Sequence, residues 1–364
     1  MICLIGNSGL KKHGVDGQTA KVRLYLKKIK DEGNDTYFID LEGFLVHPFS
    51  ILRRIKKGIK ICDRIILITA ERGCKVLIPY INRLNKKYKK DFILPLVGTS
   101  VLHYSIDKLT DEEKNDFIIN GNYSLVKPDK FLTKQLSKIS YILPETELLT
   151  RIFREYYKLS NVYTLNNFRD VDETVYQRKV KSDILRVVFL SRVMREKGIF
   201  DLLEVIKTLN DETNLIQLDI YGKKFLDNAD SQLFDTYLCH SIRYNGVLEH
   251  SKVIETLSQH DLFIFPTRFI GEGTPGVIVE SLLAGTPVIT SDFPQARLLL
   301  EDGMDSFFYK MGDLNELRKK IKLVLESPDL LKTISINAFE HGKLYTYNVE
   351  RNKFLKYICG KGDI

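Results

Sequence analysis

The stretch "LFIFPTRFIGEGTPGVIVESLLAGTPVITS", Leu262 to Ser291, contains a strand, a loop, a helix and a second strand in succession. It opens on the apolar run "LFIFP", passes through a loop rich in glycine and proline, continues in the helical segment "VIVESLLA" and ends in "PVITS". Strands that alternate with helices in this way are typical of a parallel sheet covered by helices. The stretch therefore predicts the α/β class.

The same alternation runs along almost the whole chain. In the first half we predict strands at "ICLIGN", "TYFIDL", "RIILITA", "DFILPLVG", "ISYILPE" and "VYTLNN", and in the second half at "LRVVFLS", "IQLDIYG", "RYNGV", "LFIFP", "PVITS" and "SFFY". A charged passage, residues 168–183, separates the two series. We therefore predict domains at 1–170 and 171–345, followed by a C-terminal helix at 346–364 that packs back on the first domain.

The loop in the opening stretch has the properties of a phosphate site. Pro275 suits the first turn of the helix, where its missing N–H has no partner in any case. The helix N-terminus favours anions, and the glycines around it let a ligand approach the backbone closely. They are Gly271, Gly273 and Gly276.

Two glutamates flank this helix start, Glu272 in the loop and Glu280 in the helix. A carboxylate next to a phosphate is repelled, so we expect both to bind neutral hydroxyl groups: Glu272 those of a sugar and Glu280 those of a ribose. The alternative is a solvated Glu272 and an ordinary helical Glu280.

Two cations follow the first strand of the second domain. Arg192 and Lys197 lie in the loop of "FLSRVMREKG", at a strand end where open α/β sheets bind ligands. Fixed positive charge there would neutralise a diphosphate and stabilise it as a leaving group. The alternative is a solvated basic loop.

The first domain has a glycine-spaced loop of its own, "GNSGLKKHGVDGQTAKVR", in which Gly14 and Gly17 would allow a ligand close to the backbone. The loop has neither the Gly-x-Gly-x-x-Gly spacing of dinucleotide enzymes nor the Gly-Lys-Ser/Thr of a phosphate-binding loop. Hydride transfer and ATP hydrolysis therefore lose support.

These motifs together resemble the retaining glycosyltransferases of family 4, whose fold, called GT-B, has two Rossmann-like domains facing a central cleft. The resemblance implies that Arg192 and Lys197 hold the donor diphosphate, that Glu272 contacts the transferred sugar and that Glu280 binds the ribose. It also implies a donor site completed by Gly222, Gly273, Thr274, Pro275 and Gly276. Gly14 and Gly17 would border the cleft on the acceptor side, with His13 a further candidate there.

One feature of the family is not plain in this chain. Many members have a histidine after the fourth strand of the first domain, where this chain reads "LVGTSVLHYSID". His103 is the nearest candidate, although Thr99 or Ser100 could occupy the strand end instead. The reaction would need no metal or other cofactor, and we take Asp170-Val171-Asp172 as a chance match to a metal-binding Asp-x-Asp motif.

Charge and composition bear on location and partners. The net charge is +8, and residues 1–100 hold 20 Lys and Arg against 9 Asp and Glu. In "FSILRRIKKGIKI" the apolar Ile51, Ile55 and Ile59 share one helix side, a pattern found both in membrane-surface helices and in helices that cover a sheet. The five cysteines form no Cys-x-x-Cys pair, and no leader or membrane span is evident.

We therefore expect a cytoplasmic glycosyltransferase, at the inner face of the plasma membrane if the basic domain binds anionic lipid. It would use a nucleotide-sugar donor and a saccharide acceptor, free or lipid-linked, in the synthesis of capsule, lipopolysaccharide or exopolysaccharide. No nucleic-acid partner is expected. The alternatives are a non-catalytic nucleotide-sugar-binding protein and a GT-B-fold epimerase.

Overall fold

The structure, a computed structural model, describes residues 1–9, 17–98, 101–106, 108–171, 184–269, 272 and 274–362. It divides into two compact units. The first contains Met1–Asp170 and Tyr347–Ile364, and the second contains Val171–Thr346.

Over its described residues, the first unit is built on a parallel sheet with the strand order β2-β1-β3-β4-β5. The strands are β1 (Ile2–Gly6), β2 (Thr36–Asp40), β3 (Arg64–Ile68), β4 (Asp91–Pro95) and β5 (Tyr141–Leu143). The helices are α1 (Gly17–Asp31), α2 (Pro48–Ile61), α3 (Glu71–Tyr88), α4 (His103–Ile106), α5 (Asp111–Asn115), α6 (Lys130–Leu136) and α7 (Glu147–Glu155).

Both faces of this sheet are buried. Successive side chains of a strand point to opposite faces, so Cys3 and Ile5 lie in one core with α2 and α3. Ile2 and Leu4 lie in the other core, with α1. Such two-sided burial is the usual state of a parallel sheet, and it explains the continuous apolar runs in the sequence.

The second unit has a parallel sheet with the order β11-β10-β9-β6-β7-β8 in the part of the chain described. Its strands are β6 (Leu185–Leu190), β7 (Ile216–Tyr221), β8 (Ile242–Tyr244), β9 (Leu262–Phe265), β10 (Val288–Ser291) and β11 (Ser306–Tyr309). The helices are α8 (Ile199–Thr213), α9 (Asn228–Tyr237), α10 (Val253–Ser258), α11 (Gly276–Leu283), α12 (Leu314–Glu326) and α13 (Pro328–Gly342). All six strands expected here are confirmed.

The chain ends in the first unit. Helix α14 (Tyr347–Phe354) continues as a π-helical turn, Leu355–Cys359. Phe354 is fully buried, with its ring 5.2 Å from that of Tyr25 and 5.7 Å from that of Phe168. The tail thus completes the core on the α1 side of the sheet.

The strand expected at "VYTLNN" is wrong in its extent. Val162 forms an isolated bridge with Ile142, and no strand continues from it in the described structure. Asn166 instead contacts the C-terminal tail. The Glu350 carboxylate accepts hydrogen bonds from the Asn166 backbone N–H at 3.2 Å and from the Asn166 side-chain amide at 3.0 Å. These hydrogen bonds hold the end of the passage against the C-terminal tail.

Candidate functional site

The strand order of the second unit fixes where its site lies. Counted within the unit, β11-β10-β9-β6-β7-β8 is the Rossmann order, and β6 is flanked by β7 on one side and β9 on the other. Strands β7 and β8 are added on one side of β6, and β9, β10 and β11 on its other side, so the order of the strands reverses between β6 and β9. In open α/β sheets, ligands bind at the carboxyl ends of the strands at such a point. The loops after β6 and β9 carry Arg192, Lys197 and Glu272.

Close packing joins these two loops. Gly198 has φ 71°, and a Cβ added to it would lie 1.8 Å from the Pro266 carbonyl oxygen. The backbone N–H of Arg268 donates to the Glu196 carbonyl oxygen at 2.8 Å. Only glycine fits at position 198, and its place in the "REKG" motif follows from this contact.

Lys197 and Glu272 form a buried ion pair. The Lys197 ammonium contacts a Glu272 carboxylate oxygen, which also accepts a hydrogen bond from the Thr267 hydroxyl at 3.0 Å. The two side chains were expected to bind the diphosphate and the sugar separately, and the structure brings them together. Arg192, by contrast, is exposed.

Burial has a large effect on the lysine. Lys197 is only 5% exposed, and burial, followed by the positive charge of Arg192, lowers the pKa of Lys197 to about 7. The rings of Phe265 and Phe269 lie 5.6 Å and 5.4 Å from its ammonium. The Glu272 carboxylate acts in the opposite direction because it stabilises the charged form.

The N-terminus of α11 points to an anion site. Pro275 is the N-cap residue of α11, one position before the first turn in which it was expected, and no side chain caps this helix start. Before it, Thr274 is buried and its hydroxyl oxygen has no hydrogen-bond partner among the described residues. A buried hydroxyl without a partner is costly, and an acceptor bound at this helix end would satisfy it. Gly276 is the first helical residue, and Gly271 and Gly273 lie outside the described residues.

Glu280 lies one turn further along α11 and is buried. A histidine that the sequence analysis did not identify lies next to it: Nε2 of His250 is 3.4 Å from a Glu280 carboxylate oxygen. His250 follows β8 in a short 3₁₀ turn, and no motif in the sequence marks it. It limits the directions from which a ligand can reach the Glu280 carboxylate.

Gly222 has a structural role at the same sheet edge. It follows β7 with φ 141°, and a Cβ there would lie 1.7 Å from the Ser191 carbonyl oxygen. The glycine lets the end of β7 approach the end of β6 directly before Arg192. Its place among the donor residues stays a prediction.

The candidates in the first unit are less fully described. Gly17 begins α1 and is exposed, with open space around it. His13, Gly14, Thr99 and Ser100 lie outside the described residues. His103 begins the short helix α4, and its side chain is likewise outside the description.

A buried ion pair in the first unit was not anticipated. The Lys21 ammonium, on α1, donates to a Glu145 carboxylate oxygen at 2.8 Å and to the Leu96 carbonyl oxygen at 2.7 Å. The other Glu145 oxygen accepts from the Gly98 backbone N–H at 3.0 Å. The pair fixes the chain directly after β4 and β5, and only the fold, not any local pattern, brings these residues together.

Asp170, the first residue of the Asp-x-Asp sequence, is engaged in ion pairs. Its carboxylate contacts the ammonium groups of Lys27, at 2.5 Å, and Lys28. Asp172 lies outside the described residues. Among those that are described, no three His, Cys, Asp or Glu side chains cluster so as to hold a metal ion, and no helix has the length and apolar character to cross a bilayer.

Comparisons with known proteins place the second unit next to a known family. Residues 171–341 match the family described as "Glycosyl transferases group 1". The capsular polysaccharide biosynthesis glycosyltransferase CapM of Staphylococcus aureus is 23% identical over 160 residues, 44% of this chain and 42% of that protein. The 2-deoxystreptamine N-acetyl-D-glucosaminyltransferase of Niallia circulans is 21% identical over 261 residues, 70% of this chain and 65% of that protein. The matched region thus spans less than two thirds of either relative.

A solved structure covers the whole fold. Anabaena HepE in complex with UDP has a TM-score of 0.70 at 14% identity, over 99% of each chain. At this identity the likeness concerns the fold alone. The second unit thus matches the glycosyl transferases group 1 family over nearly all its length, and the chain as a whole has the two-unit α/β fold of solved GT-B glycosyltransferases.

Proposed function

We propose that the protein is a glycosyltransferase that moves a sugar from a nucleotide-sugar donor to a saccharide acceptor. The observation that carries the proposal is the arrangement at the switch point of the second sheet. There the buried Lys197 ammonium, in the loop after β6, contacts the buried Glu272 carboxylate, in the loop after β9. The second loop leads to the start of α11 and to the buried Thr274 hydroxyl, which has no hydrogen-bond partner among the described residues. The family match covers the same residues.

The donor would be held in three parts. The diphosphate interacts with Arg192, Lys197 and the backbone N–H groups of Gly273, Thr274 and Gly276 at the start of α11, where Pro275 has no N–H to donate. Glu280 binds the ribose hydroxyls and Glu272 those of the transferred sugar. The structural neighbour HepE was solved with UDP and with UDP-glucose, which supports a nucleoside diphosphate sugar as the donor class.

The reaction would proceed as in retaining family 4 enzymes. The bond between the anomeric carbon and the diphosphate oxygen breaks through an oxocarbenium-like transition state. The acceptor oxygen forms the new bond on the same face, and its proton passes to the departing diphosphate oxygen. Arg192 and Lys197 stabilise the negative charge on the departing diphosphate. In this scheme no metal or cofactor takes part, and His103 and His13 remain candidates near the reacting groups.

The acceptor and its location follow from the relatives and from charge. CapM acts in capsular polysaccharide biosynthesis by its name, which favours a growing cell-surface polysaccharide as acceptor. The surplus of positive charge in residues 1–100 favours an acidic or lipid-linked acceptor and contact with an anionic membrane. The enzyme would then work in the cytoplasm at the inner face of the plasma membrane.

Nucleoside diphosphate release from a panel of nucleotide sugars tests the proposal. Wild type should release the diphosphate from at least one donor, and Glu272→Ala should lose this activity. Glu255→Ala, which changes an exposed glutamate on α10, is the matched control and should retain it. A protein that binds donors without any release would be the non-catalytic alternative, and one that only interconverts two nucleotide sugars would be the epimerase.

A further inference from the structure

Three large apolar side chains project from the first unit, two from the turn between β2 and α2 and one from the first turn of α2. Leu45 is 92% exposed, Val46 71% and Phe49 86%. We call these three residues the hydrophobic tip. Such exposure of neighbouring apolar residues is uncommon on a soluble surface and marks an interaction site.

The local fold explains why the tip projects. Gly43 has φ 81°, and its carbonyl oxygen accepts hydrogen bonds at 2.9 Å from the backbone N–H groups of Val46 and His47. Phe44, in the same turn, packs against the core of the unit. The turn therefore directs Phe44 inward and the next two residues outward.

Helix α2 continues this surface with positive charge. Its isoleucines at 51, 55 and 59 are buried in the core of the unit, so the side that the sequence suggested for a membrane is occupied. On the exposed side, four cations follow Phe49 at helical spacing. We call them the basic stripe: Arg53, Lys56, Lys57 and Lys60.

The spacing places the tip and the stripe on one surface. Positions 49, 53, 56 and 60 differ by four, seven and eleven residues, so they lie on one side of a 3.6-residue helix. No acidic residue occurs between Glu42 and Asp63. This surface is apolar at one end and positively charged along the rest. It is complementary to a lipid bilayer with an apolar interior and anionic head groups.

We propose that the hydrophobic tip inserts into an anionic lipid membrane while the basic stripe lies against its head groups. Two signals of this kind, one apolar and one basic, are what stable membrane attachment needs. A protein partner fits less well, because lysine is depleted at the centre of protein interfaces and the stripe holds three lysines in twelve residues from Phe49 to Lys60.

The position of the tip links attachment to the proposed function. The turn at Leu41–His47 follows the carboxyl end of β2, the edge at which a parallel α/β sheet binds ligands. Attachment would therefore bring the ligand-binding edge of the first unit to the bilayer, where a lipid-linked acceptor resides. This last step rests on the proposed glycosyl transfer, whereas membrane binding itself does not.

Tryptophan fluorescence provides a direct test because the chain contains no tryptophan. Phe49→Trp introduces a single reporter in the tip, and Val247→Trp, at a residue 64% exposed in the second unit, is the matched control. On vesicles of phosphatidylcholine and phosphatidylglycerol, the emission of Phe49→Trp should shift to the blue and be quenched by brominated lipid. The control should show neither change, and vesicles of phosphatidylcholine alone should give a weaker response.

Vesicle sedimentation gives the second measurement. Full burial of one such side chain changes a partition coefficient roughly tenfold or more, and one cation near an anionic surface changes it about fivefold. The triple variant Leu45→Ser/Val46→Ser/Phe49→Ser should lose at least about tenfold in binding, as should Lys56→Gln/Lys60→Gln at low salt. Phe225→Ser/Val247→Ser, at residues that are 52% and 64% exposed in the second unit, should bind like wild type.

Unchanged Phe49→Trp emission on anionic vesicles, or undiminished binding by the triple variant, would overturn the proposal. So would loss of self-association, rather than of lipid binding, in the triple variant measured by light scattering. These experiments use neither donor nor acceptor. A protein without glycosyltransferase activity would therefore still give a clear result in the membrane experiments. A negative result in the membrane experiments would in turn leave the proposed glycosyl transfer untouched.

Discussion

Raising the pH from 7 to 8.5 should weaken the binding of a nucleoside diphosphate by about 15-fold through one side chain, Lys197. Burial and the neighbouring Arg192 lower the pKa of Lys197 to about 7. If only the charged lysine attracts the diphosphate, the protein is half competent near pH 7. It becomes progressively less so as the pH rises.

The magnitude follows from the charged fraction. For a pKa of about 7 this fraction is about one half at pH 7 and about one thirtieth at pH 8.5, which gives the roughly 15-fold ratio. The ligand does not obscure the effect, because a phosphate with a second pKa of about 6 is almost fully ionised across this range. The bound anion raises the pKa of Lys197, so binding above pH 7 should take up a proton.

Calorimetry in two buffers of different ionisation enthalpy measures the affinity and the proton uptake together. UDP, ADP and GDP are the probes, because the base is not known. Lys197→Gln should bind more weakly at pH 7 and show a flat pH profile. Lys207→Gln, which changes an exposed lysine on α8, should keep the wild-type slope.

A constant affinity from pH 7 to 8.5 without proton uptake would refute this reasoning. It would mean that the Glu272 carboxylate, in contact with the Lys197 ammonium, outweighs burial and keeps the lysine charged.

Three further predictions concern stability, measured by urea unfolding. Gly222→Ala should lower the free energy of unfolding by about 3 kcal/mol or more, because its Cβ would lie 1.7 Å from a carbonyl oxygen. Gly303→Ala, at φ 78° with open space around it, should lower the free energy of unfolding by only about 1–2 kcal/mol. Lys21→Met should destabilise by about 3–5 kcal/mol because it leaves the buried Glu145 unpaired, and adding Glu145→Leu should recover most of this loss. Phe354→Ala should cost about 3–5 kcal/mol, since the ring is fully buried in the core of the first unit. Equal effects of the two glycine variants, no recovery in the double variant, or a neutral Phe354→Ala would each contradict the packing described.

The sequence predicts the strands well because a strand buried on both faces is a short apolar run between turn signals. Val187 to Phe189 and Phe263 to Phe265 are such runs, and both are strands. The order of the strands within the sheet cannot be predicted in this way, because the periodicity of a strand carries no information on which strands lie beside it. Only the structure shows that β6 lies beside β9, and this pairing is what brings Lys197 to Glu272 across 75 residues.

Helix α2 shows a second limit of prediction from the sequence. A side of Ile51, Ile55 and Ile59 bordered by cations fits a helix on a membrane and a helix on a sheet equally well. The structure assigns this side to the core. Conversely, Leu45 and Phe49 are exposed although they stand in the apolar passage "FLVHPFS". Leu45 projects from the turn at Gly43, which local composition does not encode.

The Lys197–Glu272 pair also bears on how the proposed donor would enter. A carboxylate and a diphosphate compete for the same ammonium group, and they repel each other at close range. If the diphosphate takes Lys197, Glu272 loses its cation and must find hydrogen-bond donors, because a buried charge without partners is costly. Sugar hydroxyls next to the phosphate would supply them. One loop contact would in this way couple diphosphate binding to recognition of the sugar, which a nucleoside diphosphate alone could not complete.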